Sequence, residues 1–184
     1  MMFIALAIVL AVVLLPIFFY NRLVGLRNRG ENAWSDIDVQ LKRRHELVPN
    51  LVETVKGYAA HEKRTLQDVT EARTRAMQPG GTTARAAAEG DLSRAITALF
   101  AVAEAYPQLR ANENFVALQK QLSDLEDAIQ NARRYYNAVV RDYNTACETF
   151  PGNLFAGAFG FKRRDFFGLD SPEERTPPKV SFGG

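Results

Sequence analysis

Hydrophobic and polar positions follow distinct patterns in successive parts of this chain. Residues 1–20 contain no charged side chain. From Trp34 to Phe150, apolar residues recur at the three- and four-residue steps of amphipathic helices, and no strand pattern competes with them. The pattern therefore predicts an all-α protein. It would have an N-terminal single transmembrane helix, then an up-down-up bundle of three long helices, and a short C-terminal helix.

The uncharged run at residues 1–20 is long enough to cross a bilayer as a helix. Twenty residues at about 1.5 Å each span roughly 30 Å, the thickness of the hydrocarbon core. A cleaved signal peptide is one alternative, but the run lacks a positive n-region and ends in the bulky Ile17-Phe18-Phe19-Tyr20. A buried core helix is another, but it would be shorter and would carry a polar face. We therefore predict a retained transmembrane anchor over residues 1–21.

The basic residues behind this run predict its orientation. Arg22, Arg27 and Arg29 follow it directly, whereas only the α-amino group precedes it. Cytoplasmic flanks of membrane spans carry the excess of Lys and Arg. We therefore expect the N-terminus outside the cell and the C-terminal domain in the cytosol. The lone Cys147 is compatible with a reducing compartment.

The first bundle helix is predicted to begin near Trp34, where Ser35 and Asp38 have capping-box spacing. Pro49 lies inside this helix, and because the seven-residue phase continues across it, we expect a kink and no break. The apolar positions of this predicted helix are Trp34, Ile37, Leu41, Val48, Leu51, Val55, Tyr58, Leu66, Val69 and Ala72.

Two further helices are predicted after the loop signal at residues 78–83. The second helix is rich in alanine, and a chain reversal between Pro107 and Asn112, with Asn112 as N-cap, separates it from the third. The third helix has the strongest periodicity, with eleven successive apolar a and d positions that suit an intramolecular bundle or an intermolecular coiled coil. These are Phe115, Leu118, Leu122, Leu125, Ile129, Ala132, Tyr136, Val139, Tyr143, Ala146 and Phe150.

The remaining segments follow from composition. Residues 22–30 form a juxtamembrane segment, 31–150 the helical bundle, 151–169 a Phe-rich amphipathic segment and 170–184 a Pro-rich tail. The Phe-rich segment is predicted to fold back onto the bundle. Alternatively, it rests on the inner leaflet with its basic triplet at lipid head groups. The candidate membrane or partner contacts are Arg22, Arg27, Arg29, Phe155, Phe159, Lys162, Arg163 and Arg164.

No catalytic constellation stands out in the sequence. His45 and His61 lack metal-ligand spacing, and Cys147 lies beside the apolar stripe without a basic neighbour. The net charge of +2 is too small and dispersed for a nucleic-acid binder. We therefore predict no enzymatic activity, no metal, no cofactor, no small-molecule substrate and no nucleic-acid partner.

Polar residues inside the apolar stripes have two interpretations each. Arg44 and His45 interrupt the first stripe, and we expect them to snorkel outward, the alternative being a polar site inside the bundle. Tyr136 and Tyr143 are interpreted as core anchors whose hydroxyls need partners. The asparagines that follow them are hypothesised to bond neighbouring helices.

Several distinctive blocks are distributed over essentially the whole chain. They are residues 48–58 (VPNLVETVKGY), His61-Glu62, residues 106–115 (YPQLRANENF), the Tyr-Asn steps at 136 and 143, Phe150-Pro151, Gly160-Phe161 and residues 177–180 (PPKV). Together these blocks resemble the LemA family. Ser181 departs from the resemblance, since relatives usually have an acidic residue there. The resemblance implies a bacterial membrane protein with one N-terminal span and a cytosolic helical bundle. Some relatives belong to magnetosome membranes, and no enzymatic activity comes with the family.

These observations favour a membrane-anchored, non-catalytic scaffold or adaptor at the cytosolic face of the bacterial cytoplasmic membrane. Its expected partners are the lipid bilayer, other membrane proteins and, through the a/d stripe, further copies of itself. The alternative function is lipid binding or membrane shaping by the Phe-rich C-terminal segment.

Overall fold

The computed structural model describes residues 2–78 and 80–168, apart from the side chains of residues 7, 8 and 11. Every regular element in these residues is a helix, so the predicted all-α class is confirmed. The helices are α1 Met2–Lys56, α2 Lys63–Ala76, α3 Thr82–Ala103, α4 Pro107–Arg110, α5 Glu113–Glu148 and α6 Gly152–Ala158. The predicted Pro-rich tail at 170–184, with Ser181, lies outside the described residues.

Helix α1 differs from its prediction at both ends. It runs without interruption through Ser35 and Asp38, so the predicted helix start near Trp34 is wrong. It also passes Pro49 and ends at Lys56, whereas we predicted one helix continuing to Ala72. Burial of the flanking Val48 and Leu51 offsets the helix-breaking effect of the proline. Gly57 has low helix propensity, and the chain turns there before α2 begins.

The region predicted as three long helices is more finely divided. Between residues 31 and 150 the chain forms the end of α1, then α2, α3, the single turn α4, and α5. The predicted loop at 78–83 corresponds to the connection between α2 and α3, except that Thr82 and Thr83 already belong to α3. The predicted reversal is also present, because α4 occupies it and Asn112 caps α5. The Asn112 side-chain oxygen accepts a hydrogen bond of 3.0 Å from the backbone N–H of Phe115.

The chain folds into two compact units, which are described separately. Unit 1 contains residues up to Arg43 together with Asp124–Asp165. In it, α1 and α5 pack antiparallel, since the rings of Trp34 and Tyr136 are 5.4 Å apart while Leu23 and Ala146 share one buried cluster. The buried hydrophobic residues that these two helices contribute to unit 1 are Leu23, Ala33, Ile37, Leu41, Ile129, Tyr136, Val139, Val140, Tyr143 and Ala146.

Unit 2 contains Arg44–Ser123 and the described residues from Phe166 onward. Helices α2 and α3 form a hairpin in it, and the ends of α1 and α5 within the unit contribute to one aliphatic core. The buried members of this core are Val48, Leu51, Val55, Ala59, Leu66, Val69, Ala72, Ala76, Leu92, Ile96, Leu99, Ala103, Leu109, Phe115 and Leu122. The aromatic Phe115 packs edge-on against Phe100 at 6.0 Å.

The apolar stripe of α5 is confirmed over most of its length. Every predicted a and d residue from Phe115 to Ala146 is buried or partly buried. Phe150 is the exception, because 80% of it is exposed. Helix α5 ends at Glu148, so the helical phase that predicted a core position no longer applies at Phe150.

Within the described residues, no helix combines the length and the apolar character that a membrane crossing requires.

Candidate functional site

The N-terminal part of α1 exposes an unusually apolar surface. Its large hydrophobic side chains between Met2 and Phe18 are 49% to 80% exposed. They are Met2, Phe3, Ile4, Leu6, Val9, Leu10, Val12, Val13, Leu14, Leu15, Ile17 and Phe18. Contiguous apolar surface of this kind marks an interaction site, since soluble monomers rarely expose large apolar patches.

Helix α6 packs against α1 where this apolar surface ends. The ring of Phe155 stacks on Phe19 with centroids 5.0 Å apart and planes 8° from parallel. Tyr20 meets Phe159 and Phe161 edge-on, at 5.1 and 5.8 Å. These contacts confirm that the Phe-rich segment folds back onto the helices, as predicted.

Several apolar side chains around α6 nevertheless remain outside this packing. Phe150 and Leu154 are 80% and 60% exposed, and Phe159 is 46% exposed despite its contact with Tyr20. The predicted contacts Phe155 and Phe159 therefore have different environments. Phe155 is partly buried against α1, whereas Phe159 still presents apolar surface to the surroundings.

The chain after α6 is fastened to α5 by polar side chains. The Tyr136 and Tyr143 hydroxyls donate to the backbone carbonyls of Asp165 and Lys162, at 3.1 and 2.9 Å. The Asn144 amide donates to the Arg164 carbonyl and accepts from the Arg164 N–H, both at 2.9 Å. The tyrosines are confirmed as core anchors. Asn144, however, bonds to the segment after α6 and not to a neighbouring helix. The backbone groups of this segment lie outside a helix and need hydrogen-bond partners.

Burial perturbs two titratable groups beside this fastening. Burial raises the pKa of Tyr143 to about 12, and the hydrogen bond that its hydroxyl shares with the Cys147 sulfur adds to that effect. Burial also raises the pKa of the Cys147 thiol, and the charge of Glu148 adds to that effect. A raised pKa keeps Cys147 in its unreactive thiol form near neutral pH, as expected for a residue beside a core stripe.

The predicted basic contacts have separate environments. Arg163 pairs with Glu148 at 2.8 Å, and Arg164 pairs with Glu31 at 2.8 Å while also reaching the Arg27 carbonyl. Lys162 is exposed, and the Arg27 guanidinium lies 5.6 Å from the centre of the Phe161 ring. The triplet 162–164 is therefore partly committed to ion pairs within the protein.

Arg22 and Arg29 line a groove between α1 and α5 in unit 1. The groove has a volume of about 510 Å³ and opens to the surroundings. Its α1 wall extends from Asn21 to Arg29, and its other wall contains Asp142, Thr145 and Ala146 of α5 together with Thr149, the residue after that helix. The groove begins directly after the aromatic residues that receive α6.

Unit 2 contains a buried polar cluster that joins α1 to α3. Arg44 forms an ion pair with the Glu89 carboxylate and donates to the Ser93 hydroxyl at 2.8 Å. The other Glu89 oxygen lies 2.8 Å from His45 Nε2. Arg44, His45 and Glu89 are all less than 9% exposed. The expectation that Arg44 and His45 snorkel outward is therefore wrong, because a buried carboxylate partner from α3 compensates them.

The neighbours of Glu89 favour its charged form. Burial alone would raise the pKa of Glu89, but the hydrogen bond from His45 and the positive charge of Arg44 outweigh it and lower the pKa below its ordinary value. Arg73 adds a 2.8 Å hydrogen bond to the His45 carbonyl, which ties α2 to the same place. The cluster can therefore hold three helices in register, and the terminal guanidinium nitrogens of Arg44, the His45 Nε2 and the Glu89 carboxylate oxygens have their partners within it.

Glu89 is the member of this cluster that the sequence analysis missed. A signal was available, since Glu89 precedes Leu92 and Ile96 by three and seven residues and so lies on their buried helix face. Among the described residues, no group of three His, Cys, Asp or Glu side chains is arranged to hold a metal ion.

Comparison with known proteins gives consistent matches. The model of the LemA family matches residues 33–182. Magnetosome protein MamQ 2 of Paramagnetospirillum magneticum is 27% identical over an alignment that covers 86% of this chain and 67% of that protein. Magnetosome protein MamQ of Magnetospirillum gryphiswaldense is 26% identical with the same coverage. Protein LemA of Metamycoplasma hominis is 27% identical, covering 74% of this chain and 63% of the relative.

Proposed function

The chain belongs to the LemA family, and from this premise we propose that it is a membrane-anchored, non-catalytic helical scaffold or adaptor. It would recruit or organise membrane-associated partners at the cytosolic face of the bacterial cytoplasmic membrane. The observation that carries the proposal is the exposed apolar surface of α1 between Met2 and Phe18, which forms the N-terminal part of unit 1.

The proposed anchor is the single-pass segment at residues 1–21. Its support is the absence of charge over residues 1–20 and the length of about 30 Å that they span as a helix. The aromatic residues Phe18, Phe19 and Tyr20 at its end suit the membrane interface, and Arg22, Arg27 and Arg29 then favour a cytosolic location for the rest of the chain.

The scaffold role is supported by how the buried polar groups are used. Arg44, His45 and Glu89 satisfy one another inside unit 2, which suits a structural role better than catalysis. The groups available for binding partners are then those on the surface of the protein. Membrane-protein partners and self-association are the proposed consequences, since tethering to one membrane face raises the effective concentration of both.

The anchor is tested by membrane fractionation of the full chain and of Leu10→Arg. An arginine in the centre of a membrane helix costs about 2.5–3.5 kcal/mol, so we expect the variant to leave the alkali-washed membrane pellet that retains the wild type. Val116→Arg places the same charge at a 50% exposed position of unit 2 and serves as the control that stays in the pellet. Equal retention of all three proteins would contradict the anchor.

Topology and partners need separate measurements. In a Cys147→Ser background, Gly25→Cys places a thiol where a Cβ meets open space. We expect an impermeant thiol reagent to label it only after the cells are opened. In-cell crosslinking with mass spectrometry then tests the scaffold role, which requires membrane-protein partners or a second copy above the level seen for the Leu10→Arg variant.

Direct lipid contact by the Phe-rich segment is a second candidate function. The exposed Phe150 and Leu154 favour it, since they are continuous with rings that pack at the end of the proposed anchor. A fluorophore at Leu154→Cys in the reconstituted full chain should be quenched by lipids that carry a quencher near the head group. The same fluorophore at Val116→Cys, which replaces a 50% exposed side chain of unit 2, is the control. Equal quenching at both positions would contradict the candidate.

A further inference from the structure

The groove lined by Arg22 and Arg29 has the position of a head-group site, if the proposed anchor is accepted. Its α1 wall starts at Asn21, the residue after the aromatic end of the apolar run. Head-group layers add about 5–8 Å on each side of the hydrocarbon core. At about 1.5 Å per residue, residues 21–25 fall within that layer.

The two arginines can reach one ligand at the edge of this layer. They are seven residues apart, which places them on the same helix face and about 10 Å apart along the axis, with Arg29 about 6 Å beyond residue 25. Side chains of an α-helix lean toward its N-terminus, so both guanidinium groups are displaced toward the proposed membrane. Guanidinium groups are well suited to phosphate, which they bind through paired, charge-assisted hydrogen bonds.

The opposite wall of the groove has the complementary charge. Asp142 lines it, and the C-terminal end of α5 adds the negative end of a helix dipole near Thr145 and Thr149. Within the described part of the chain, Arg22, Arg29 and Asp142 have no ion-pair partner. The groove therefore offers two donors for an anion and, across from them, an acceptor for a cation.

We propose that this groove binds a phosphate that carries a nearby primary ammonium, as in the phosphoethanolamine head group of a phospholipid. Arg22 and Arg29 receive the phosphate, and Asp142 accepts from the ammonium. The volume of about 510 Å³ accommodates such a group with bound water. A trimethylammonium head group has no N–H to donate, and a glycerol head group has no positive charge, so both bind less well than the primary ammonium.

Native mass spectrometry of the full chain, released from mixed bilayers, tests this site by counting retained lipids. We expect phosphatidylethanolamine to be retained over phosphatidylcholine and phosphatidylglycerol. Loss of the charge-assisted bonds in Arg22→Gln/Arg29→Gln should lower that retention about tenfold. Asp142→Asn should remove only the preference for ethanolamine over glycerol. Arg141→Gln, which changes a neighbouring arginine that does not line the groove, is the matched control.

Three outcomes overturn the proposal. One is equal lipid retention in the groove variants and in Arg141→Gln. The second is an unchanged ethanolamine preference in Asp142→Asn. The third is displacement of the lipid by inorganic phosphate alone, which would assign the groove to a free phosphate. Free phosphoethanolamine is added in a parallel experiment for comparison. Membrane fractionation of the same samples separates the two proposals, because wild type that stays in the pellet without selective lipid retention refutes the head-group site and leaves the anchor intact.

Discussion

Unit 1 and unit 2 use their charged side chains in different ways. Unit 2 buries Arg44 and Glu89 as an ion pair, so that the two charges compensate each other within the core. In unit 1, the arginines of α1 remain exposed beside an apolar surface. The buried polar side chains of unit 1 are Tyr136, Tyr143 and Asn144, and they bond to the backbone of the segment after α6. The difference assigns stability to the charges of unit 2 and interaction to those of unit 1.

The largest effect that tests this contrast is expected for Glu89→Ala. The variant leaves the Arg44 guanidinium buried without its carboxylate, which costs about 3–5 kcal/mol in the free energy of unfolding. Urea unfolding of the full chain in detergent measures it. Glu31→Ala removes an exposed partner of Arg164 in unit 1 and should cost less than about 1 kcal/mol.

Two further results would sharpen this prediction. Replacing both partners, in Arg44→Met/Glu89→Leu, should recover most of the stability, since an apolar pair leaves no charge uncompensated. The lowered pKa of Glu89 also means that its contribution is present above the ordinary carboxyl pKa and is lost as the pH falls through the folded value. Equal losses in Glu89→Ala and Glu31→Ala would remove the proposed distinction between the units.

A smaller effect is expected for Asn144→Ala in unit 1. The variant removes both hydrogen bonds to the backbone of Arg164. We expect the free energy that holds the segment after α6 on α5 to fall by about 2 kcal/mol, so that this segment opens more often. Hydrogen exchange at the Arg164 amide and proteolysis after Lys162 both report the opening. The control is Asn131→Ala, which changes an exposed asparagine of α5 whose side-chain oxygen accepts a hydrogen bond from Arg134. Unchanged exchange at Arg164 would refute the fastening.

The smallest effect is expected from Tyr143 at alkaline pH. Its pKa is raised from 10.0 to about 12, so the folded state retains a proton that the unfolded chain loses. The sign follows directly: the stability that this hydroxyl contributes is complete below pH 10 and falls as the pH rises toward about 12. Ultraviolet titration should show a late tyrosinate step that Tyr143→Phe abolishes and that Tyr135→Phe, at an exposed position, preserves.

The confirmed sequence predictions are those that depend on local rules. Periodicity alone predicted the apolar face of α5 from Phe115 to Ala146, and turn residues predicted the loop at 78–83 and the cap at Asn112. The wrong predictions involve choices that packing decides. Helix α1 continues across Pro49 as predicted, but it runs from Met2 to Lys56, whereas a helix from near Trp34 to Ala72 was expected.

The candidate sites divide in the same way. The exposed run of α1 and its flanking arginines were visible in the sequence because charge and apolar length are local properties. The partner of Arg44 was not, since Glu89 lies 45 residues further along the chain, on α3, with the whole of α2 between them. The groove was also invisible, because Arg29 and Asp142 belong to one surface only after α1 and α5 pack antiparallel.

The helical class, the apolar faces and the family could be predicted from the sequence alone, because helical period and motif are properties of residues close together in the chain. The burial of Arg44, the bonds of Asn144 to the segment after α6 and the stacking of Phe155 on Phe19 became known only from the tertiary structure. Each of these depends on a partner tens of residues away. A polar or aromatic side chain specifies what kind of contact it needs, but its location is set by the element that packs against it.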